Sequence, residues 1–288
     1  MRSGIVLWIA LQVVLGLVCL AAVLAAGPLR AEDAPQAASQ AASQDAPQAS
    51  PQASPQDASN PQDASKVCEV PASLLTTESA LPKVAEAVKN GRPLDILVIG
   101  SRSSTIPGSE TSAYPARLLA SLKEKLAPAK VNISLEIQPK KTAEETASTL
   151  VKLMEAKKPT LVIWQTGTVD ALRSIDPDDF RNAVDEGVVA LQNAGADVIL
   201  MNPQYSPRTE MMISVPPYVD NMRVVAQQHD VPLFDRFAIM HQWNDQGDFD
   251  LFSTSPGTEL AKRVHDCLGQ ALSKFVVDAA HIGSAQQN

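Results

Sequence analysis

Apolar residues fall along this chain in two distinct patterns. Ile96-Leu97-Val98-Ile99, Leu161-Val162-Ile163-Trp164 and Val198-Ile199-Leu200-Met201 are unbroken runs, as expected of strands covered on both faces in a parallel sheet. Val131–Ile137 instead alternates apolar and polar positions, which predicts a half-buried strand at a sheet edge. A shorter run, Val231–Phe234, closes the series. Between the runs the spacing changes to that of helices. Tyr114, Leu118, Leu119, Leu122 and Leu126 form one apolar stripe. Helices are predicted over 79–90, 113–126, 142–156, 176–194 and 217–229, with a long last one from Ser255-Pro256. Their ends carry start signals: Thr142 with Glu145 three residues on is a capping box, and Pro177 lies in the first turn of its helix.

Strands that alternate with helices predict an α/β protein with a doubly wound parallel sheet in a three-layer α/β/α sandwich. With five strands and right-handed crossovers the expected order is 2-1-3-4-5. That order brings the C-terminal ends of strands one, three and four to one rim, so Ser101–Ser104, Gln165–Asp170 and Asn202–Tyr205 should meet there. The first of these follows Gly100 as Ser101-Arg102-Ser103-Ser104-Thr105. Four hydroxyls and a guanidinium at the ligand-binding rim make a candidate site. The plainer alternative is a turn whose hydroxyls only cap the next helix.

Composition divides the chain into three parts. Residues 1–31 carry Arg2 and then an apolar run from Ile5 to Ala26, the mark of a secretory signal peptide or, left uncut, of a membrane anchor. Either way the remainder is expected to be exported, periplasmic or extracellular, and tethered to a membrane if the leader stays uncut. Residues 32–66 are almost entirely Ala, Gln, Ser, Pro and Asp and predict a disordered linker. Residues 67–288 are the folded domain, of single-domain size. The whole chain bears −8, from 24 basic and 32 acidic side chains. Without Arg2, Arg30, Lys66, Glu32, Asp33, Asp45, Asp57 and Asp63 the domain keeps 21 against 27, or −6. A mildly acidic domain with no basic run argues against nucleic acid as a partner. Two cysteines outlast the leader, Cys68 and Cys267; in an oxidising compartment they predict a disulfide, the alternative being two unrelated buried thiols. No His/Cys/Asp/Glu cluster has metal-ligand spacing and no Gly-x-x-x-x-Gly-Lys loop occurs, so neither metal nor cofactor is expected.

The order of motifs resembles the SGNH (GDSL) hydrolase family. The resemblance rests on ILVIGSRSST, SAYPARLLASL, VIWQTGTVDA and DLFSTSPGTELAKRVHDCL and covers about Leu94 to Leu272. It implies a flavodoxin-like esterase fold and a serine nucleophile after the first strand. Every signature position is altered. The Gly-Asp-Ser-Leu block falls on Gly100-Ser101-Arg102-Ser103, so register alone puts Arg102 where the nucleophile belongs. Pro139-Lys140-Lys141 occupies the place of the second-block glycine. Gly167-Thr168-Val169-Asp170 carries Val169 in place of the oxyanion asparagine. Asp250-Leu251-Phe252-Ser253 ends in serine where the family has its histidine base.

Two functions follow from the resemblance. In one, the protein hydrolyses acyl or acetyl esters of the cell envelope. Ser101 or Ser103 is then the nucleophile, backbone N–H groups near Gly100 and Gly167 form the oxyanion hole, and His241 with Asp250 replaces the base and its orienting carboxylate. Losing the base costs such a reaction far more than losing one oxyanion donor. In the other, Arg102, Lys140 and Lys141, with Gln165 and Asp170 on the facing loop, hold an anionic envelope ligand, a glycan or a protein partner without turnover. His265, in the last helix beside Cys267, is expected to be structural.

Overall fold

The computed structural model describes residues 68–252 and 257–282. The expected leader, the linker and the Ser255-Pro256 helix start lie outside the described residues, as does Ser253. Among the described residues the order is α1 (Ala72–Leu75), α2 (Pro82–Lys89), β1 (Leu94–Gly100), α3 (Tyr114–Lys125), β2 (Val131–Ile137), α4 (Ala143–Lys157), β3 (Leu161–Gln165), α5 (Thr168–Leu172), α6 (Pro177–Asn193), β4 (Asp197–Met201), α7 (Pro207–Met212), α8 (Pro216–Gln228), β5 (Leu233–Phe234), α9 (Arg236–Asp245) and α10 (Thr258–Ala279). One-turn 3₁₀ segments at Arg102–Ser104 and Glu110–Ser112 link β1 to α3.

All five strands are parallel, in the order β2-β1-β3-β4-β5. Strand alternation sorts the unbroken apolar runs into two cores. Ile96, Val98, Leu161, Ile163, Ile199 and Met201 face α3, α9 and α10 and pack with Tyr114, Leu118, Trp243, Leu268 and Leu272. Leu97, Ile99, Val162, Trp164, Val198 and Leu200 face α4, α6 and α8 and pack with Leu150, Phe180, Val188 and Met222. Each run is therefore continuous in sequence because both its faces are covered. β2 is the half-covered edge, with Val131 buried and Leu135 41% exposed.

Side chains from other elements cap several helix starts, satisfying N–H groups that a helix cannot satisfy itself. Asp197 Oδ2 accepts the Val84 N–H of α2 at 2.9 Å, and Asp170 Oδ1 accepts the Ala143 N–H of α4 at 2.8 Å. Both carboxyls lie above their ordinary range because burial opposes their charge, while those N–H groups pull the other way. The capping box at Thr142 and Glu145 is formed. Cys68 and Cys267 are joined, with Cα atoms 4.9 Å apart across 199 residues of sequence. Leu81 N–H to Ala279 O (3.0 Å) and Trp243 Nε1 to Glu69 O (2.9 Å) bind the same two ends of the domain. No helix among the described residues is long and apolar enough to cross a membrane.

Three helices appear where loops were expected. Most consequential is α9, because 236–250, including His241, reads as a loop. Its apolar residues Ile239, Met240 and Trp243 are buried, but two adjacent positions and one a turn later are too few to announce a helix by periodicity. Asp235 starts it by accepting the Ala238 N–H at 2.9 Å. Thr168–Leu172 and Pro207–Met212 are only one to two turns long, below the length at which an apolar stripe shows. β5 is two residues, shorter than the run Val231–Phe234.

Candidate functional site

The three rim loops meet, and their centre is Gln165. This last residue of β3 is buried, and its side chain stands among the hydroxyls that follow β1. Its Nε2 donates to Ser101 Oγ (3.1 Å) and to Ser103 Oγ (2.8 Å), and its Oε1 accepts from Ser104 Oγ (2.5 Å). Since the Ser104 proton goes to Gln165, the Tyr114 hydroxyl is the donor in its 3.1 Å contact with Ser104 Oγ. Gly100 makes room for this network, because a Cβ there would lie 2.2 Å from Ser104 Oγ and 3.4 Å from Gln165 Oε1.

Arg236 enters the cluster from the far side of the sheet's rim. Asn202, after β4, donates to Asp235 Oδ1 (2.7 Å) and accepts the Phe237 N–H (2.9 Å), while Arg223 of α8 holds Asp235 Oδ2 (2.7 Å). The first turn of α9 is thus pinned, and Arg236 between these anchors is 1% exposed. Its Nη1 donates to Ser103 Oγ (3.3 Å), and its Nη2 to Ser103 O (3.2 Å) and Gln204 Oε1 (3.0 Å). The guanidinium carbon lies 5.7 Å from the Tyr114 ring centroid. All its acceptors are neutral, its Nε has no partner, and no ion pair among the described residues includes it. Burial lowers its pKa to about 10, against which only the Tyr114 hydroxyl acts. It is nonetheless a full cation at neutral pH, buried without a counter-charge.

His265 completes the set. Its Nδ1 accepts the Tyr114 N–H at 3.0 Å, capping α3 from α10. The imidazole proton therefore sits on Nε2. Burial, and then the Arg236 cation, hold its pKa down at about 3. It is neutral throughout the physiological range.

The hydroxyl assignments decide what this cluster can do. Ser103 Oγ accepts from Gln165 and Arg236, so both lone pairs are taken. It also lies 3.2 Å from Ser101 Oγ, a contact in which either hydroxyl can be the donor. Ser101 Oγ in turn accepts from Gln165 Nε2 and, at 3.4 Å, from the Ser103 N–H. Among the described residues no histidine or carboxylate hydrogen-bonds either hydroxyl.

The other residues singled out in the sequence lie around this centre. Arg102 is exposed and its side chain makes no hydrogen bond or ion pair among the described residues. Lys140 is exposed, and its carbonyl accepts from Arg173. Lys141 lines a small crevice with Ser101, Gln165 and Gly167. Gly167, at φ 98°, opens α5 against Pro203. Asp170 is buried and turned to the start of α4. Asp250 is exposed and accepts the Phe252 N–H (3.1 Å). His241 pairs with Asp245 across one turn of α9 (2.9 Å) and lies against Tyr205. Gly100, Ser101, Ser103 and Gln165 thus come together, whereas Asp250 and His241 bond elsewhere. Ser104 and Gln204 lie in segments expected at the rim without a role of their own, whereas Arg236 and His265 have no place among the predicted ligand or catalytic residues. Arg236 had a usable signal, since it follows β5 as closely as Arg102 follows β1.

Comparison with known proteins agrees with this scaffold. No curated protein matches the chain in sequence. Its fold is similar to that of a catalytic mutant of the acetylxylan esterase Axe2 from Geobacillus stearothermophilus, with TM-score 0.53 and 15% identity over 63% of this chain and 93% of that one. It is likewise similar to TesA, with TM-score 0.50 and 20% identity over 63% of this chain and 99% of that one. At these identities the likeness is one of fold. The model of the non-GDSL lipase-like family matches residues 67–282. On that match, which spans the whole described domain, the chain belongs to the non-GDSL lipase-like family.

Proposed function

We propose that the domain binds an acidic ligand at the rim formed by Ser101, Ser103, Gln165 and Arg236, and does not open esters through a serine nucleophile. One observation carries this reading: apart from Ser101, the side chains bonded to Ser103 Oγ are both donors, Gln165 and Arg236. A serine becomes a nucleophile when a base takes its proton, and here the neighbours present protons to it. The same arrangement of hydroxyls, amide and buried guanidinium suits an oxyanion of the ligand. Arg102 and Lys141, at the outer edge, would meet its more exposed part. The apolar leader and the Ala/Gln/Pro-rich linker suggest an exported domain held on a stalk, its ligand an acidic small molecule, glycan or protein group of the cell envelope.

Hydrolysis of acyl or acetyl esters is the second reading. It is favoured by the position of Ser101 and Ser103 directly after β1 and by the fold shared with an acetylxylan esterase. One measurement separates the two. The full chain is assayed with p-nitrophenyl acetate and a long-chain p-nitrophenyl ester. The binding reading expects hydrolysis at the buffer rate and no change in Ser103→Ala. Turnover well above buffer that is lost in Ser103→Ala or Ser101→Ala overturns it.

A further inference from the structure

Resting on the binding reading above, we infer that the cleft beside Arg236 takes an amphipathic monocarboxylate, with its carboxylate on Arg236 and Gln204 and its alkyl chain against α10. The cleft encloses about 630 Å³, within the range of roughly 300–1,000 Å³ usual for small-molecule sites. Its polar end is built from Arg236, Gln204 and His265. Arg236 is almost wholly buried, has an unpartnered Nε and meets no carboxylate. A desolvated cation is ordinarily paired, so this one lacks the anion its surroundings should supply. Gln204 gives its Oε1 to Arg236. Its Nε2 hydrogens have no partner among the described residues, which leaves a second donor for the same anion. His265 is neutral and adds no competing charge.

Beyond that end the wall is mostly apolar, from Ile106, Tyr205, Met240, Leu260 and Val264, with the hydroxyl residues Ser206 and Thr258 among them. A phosphate or sulfate ion would satisfy the guanidinium and leave that wall against water. An alkyl chain of several carbons attached to a carboxylate satisfies both ends at once. The ligand class follows from one cation, among the described lining residues, at the head of an otherwise uncharged, mostly apolar cleft.

Octanoate is the probe, titrated into the full chain by calorimetry and followed by thermal unfolding. Saturable one-to-one binding is expected, with a rise in Tm. Methyl octanoate, which keeps the chain and loses the charge, should bind at least tenfold more weakly. Acetate, which keeps the charge and loses the chain, should bind at least a hundredfold more weakly. These comparisons use the unaltered protein, so they hold even if Arg236→Gln does not fold; if it folds, it should lose the preference for octanoate over its ester. Methyl octanoate or acetate binding as tightly as octanoate overturns the inference. So does an absence of octanoate binding while phosphate still raises Tm through Arg236, a result that would leave the broader anion-binding reading standing. Serine-dependent ester turnover alongside charge-selective octanoate binding would end that broader reading and support this site.

Discussion

A Cβ on Gly100 would lie 2.2 Å from Ser104 Oγ, so the last residue of β1 and the serine four places on can coexist only because the first has no side chain. The obstructing atom belongs to a buried side chain held by Gln165 and Tyr114, so moving it aside breaks those two hydrogen bonds. Gly100→Ala should cost about 2–3 kcal/mol in urea unfolding, within the range for overpacking a core. Adding Ser104→Ala removes the clashing oxygen, so the double variant should be more stable than the two separate losses would add up to. Strict additivity would show that the glycine is needed for something other than this contact.

His265 gives the fold a definite pH dependence. Its folded pKa of about 3 lies below the ordinary value of 6.5, so between those limits the unfolded chain binds the proton more readily. Stability is therefore expected to fall as pH drops below about 6.5, and to go on falling toward 3, by up to about 5 kcal/mol from this group. Asp170 and Asp197, whose carboxyls lie above their ordinary range, act in the opposite sense below neutrality. The comparison must therefore be with a variant. His265→Asn retains an acceptor for the Tyr114 N–H and does not titrate. Urea unfolding at pH 7 and pH 4.5 should show a smaller loss for the variant than for the parent protein.

The disulfide closes nearly the whole domain. With Cys68 and Cys267 separated by 199 positions in sequence, the chain-entropy model gives about 5 kcal/mol of stabilisation. Reduction, or Cys68→Ser with Cys267→Ser, should lower the thermal midpoint by at least about 5 °C, measured by circular dichroism. The fold itself should persist, because Leu81 and Trp243 still bind the two ends together.

Gln165 can be turned against the ligand without changing shape. Gln165→Glu places a carboxylate beside Ser103, which Arg236 also contacts. The cation then gains a counter-charge from the protein. The rise in Tm on adding octanoate should fall at least severalfold, while stability without ligand changes by less than about 2 kcal/mol. An unchanged response would mean that Arg236 does not meet the anion.

Ester hydrolysis should be equally insensitive to the family's last block. Among the described residues Asp250 accepts only the Phe252 N–H, and His241 is paired with Asp245. Asp250→Asn and His241→Gln should each leave the p-nitrophenyl acetate rate at its background value. A drop of tenfold or more in either would point to a base brought into place by the substrate.

Much of the architecture was legible in the chain. The three unbroken apolar runs gave central parallel strands, and the alternation in 131–137 gave the edge. Thr142 and Glu145 gave a helix start, and two cysteines in a domain expected to be exported gave their bond. These are short-range signals, in which a residue's type and its near neighbours carry the information. α9 was not legible, because its fully buried apolar residues are Ile239, Met240 and Trp243, with Phe237 half-buried beside them, and Asp235 alone marks the start.

The sequence alone determined the class of fold, the order of its strands and the rim where a ligand would sit, since burial leaves a periodic trace that topology rules convert into an arrangement. It also determined that the family's catalytic blocks were altered. Only the tertiary structure decided which cation occupies the site. Arg102 and Arg236 both follow a strand, yet the first stays exposed while the second is drawn inward by Asn202 and Arg223 fastening Asp235 beside it. Whether a side chain ends in water or beneath a serine depends on contacts between segments far apart in the chain, and no local pattern records them.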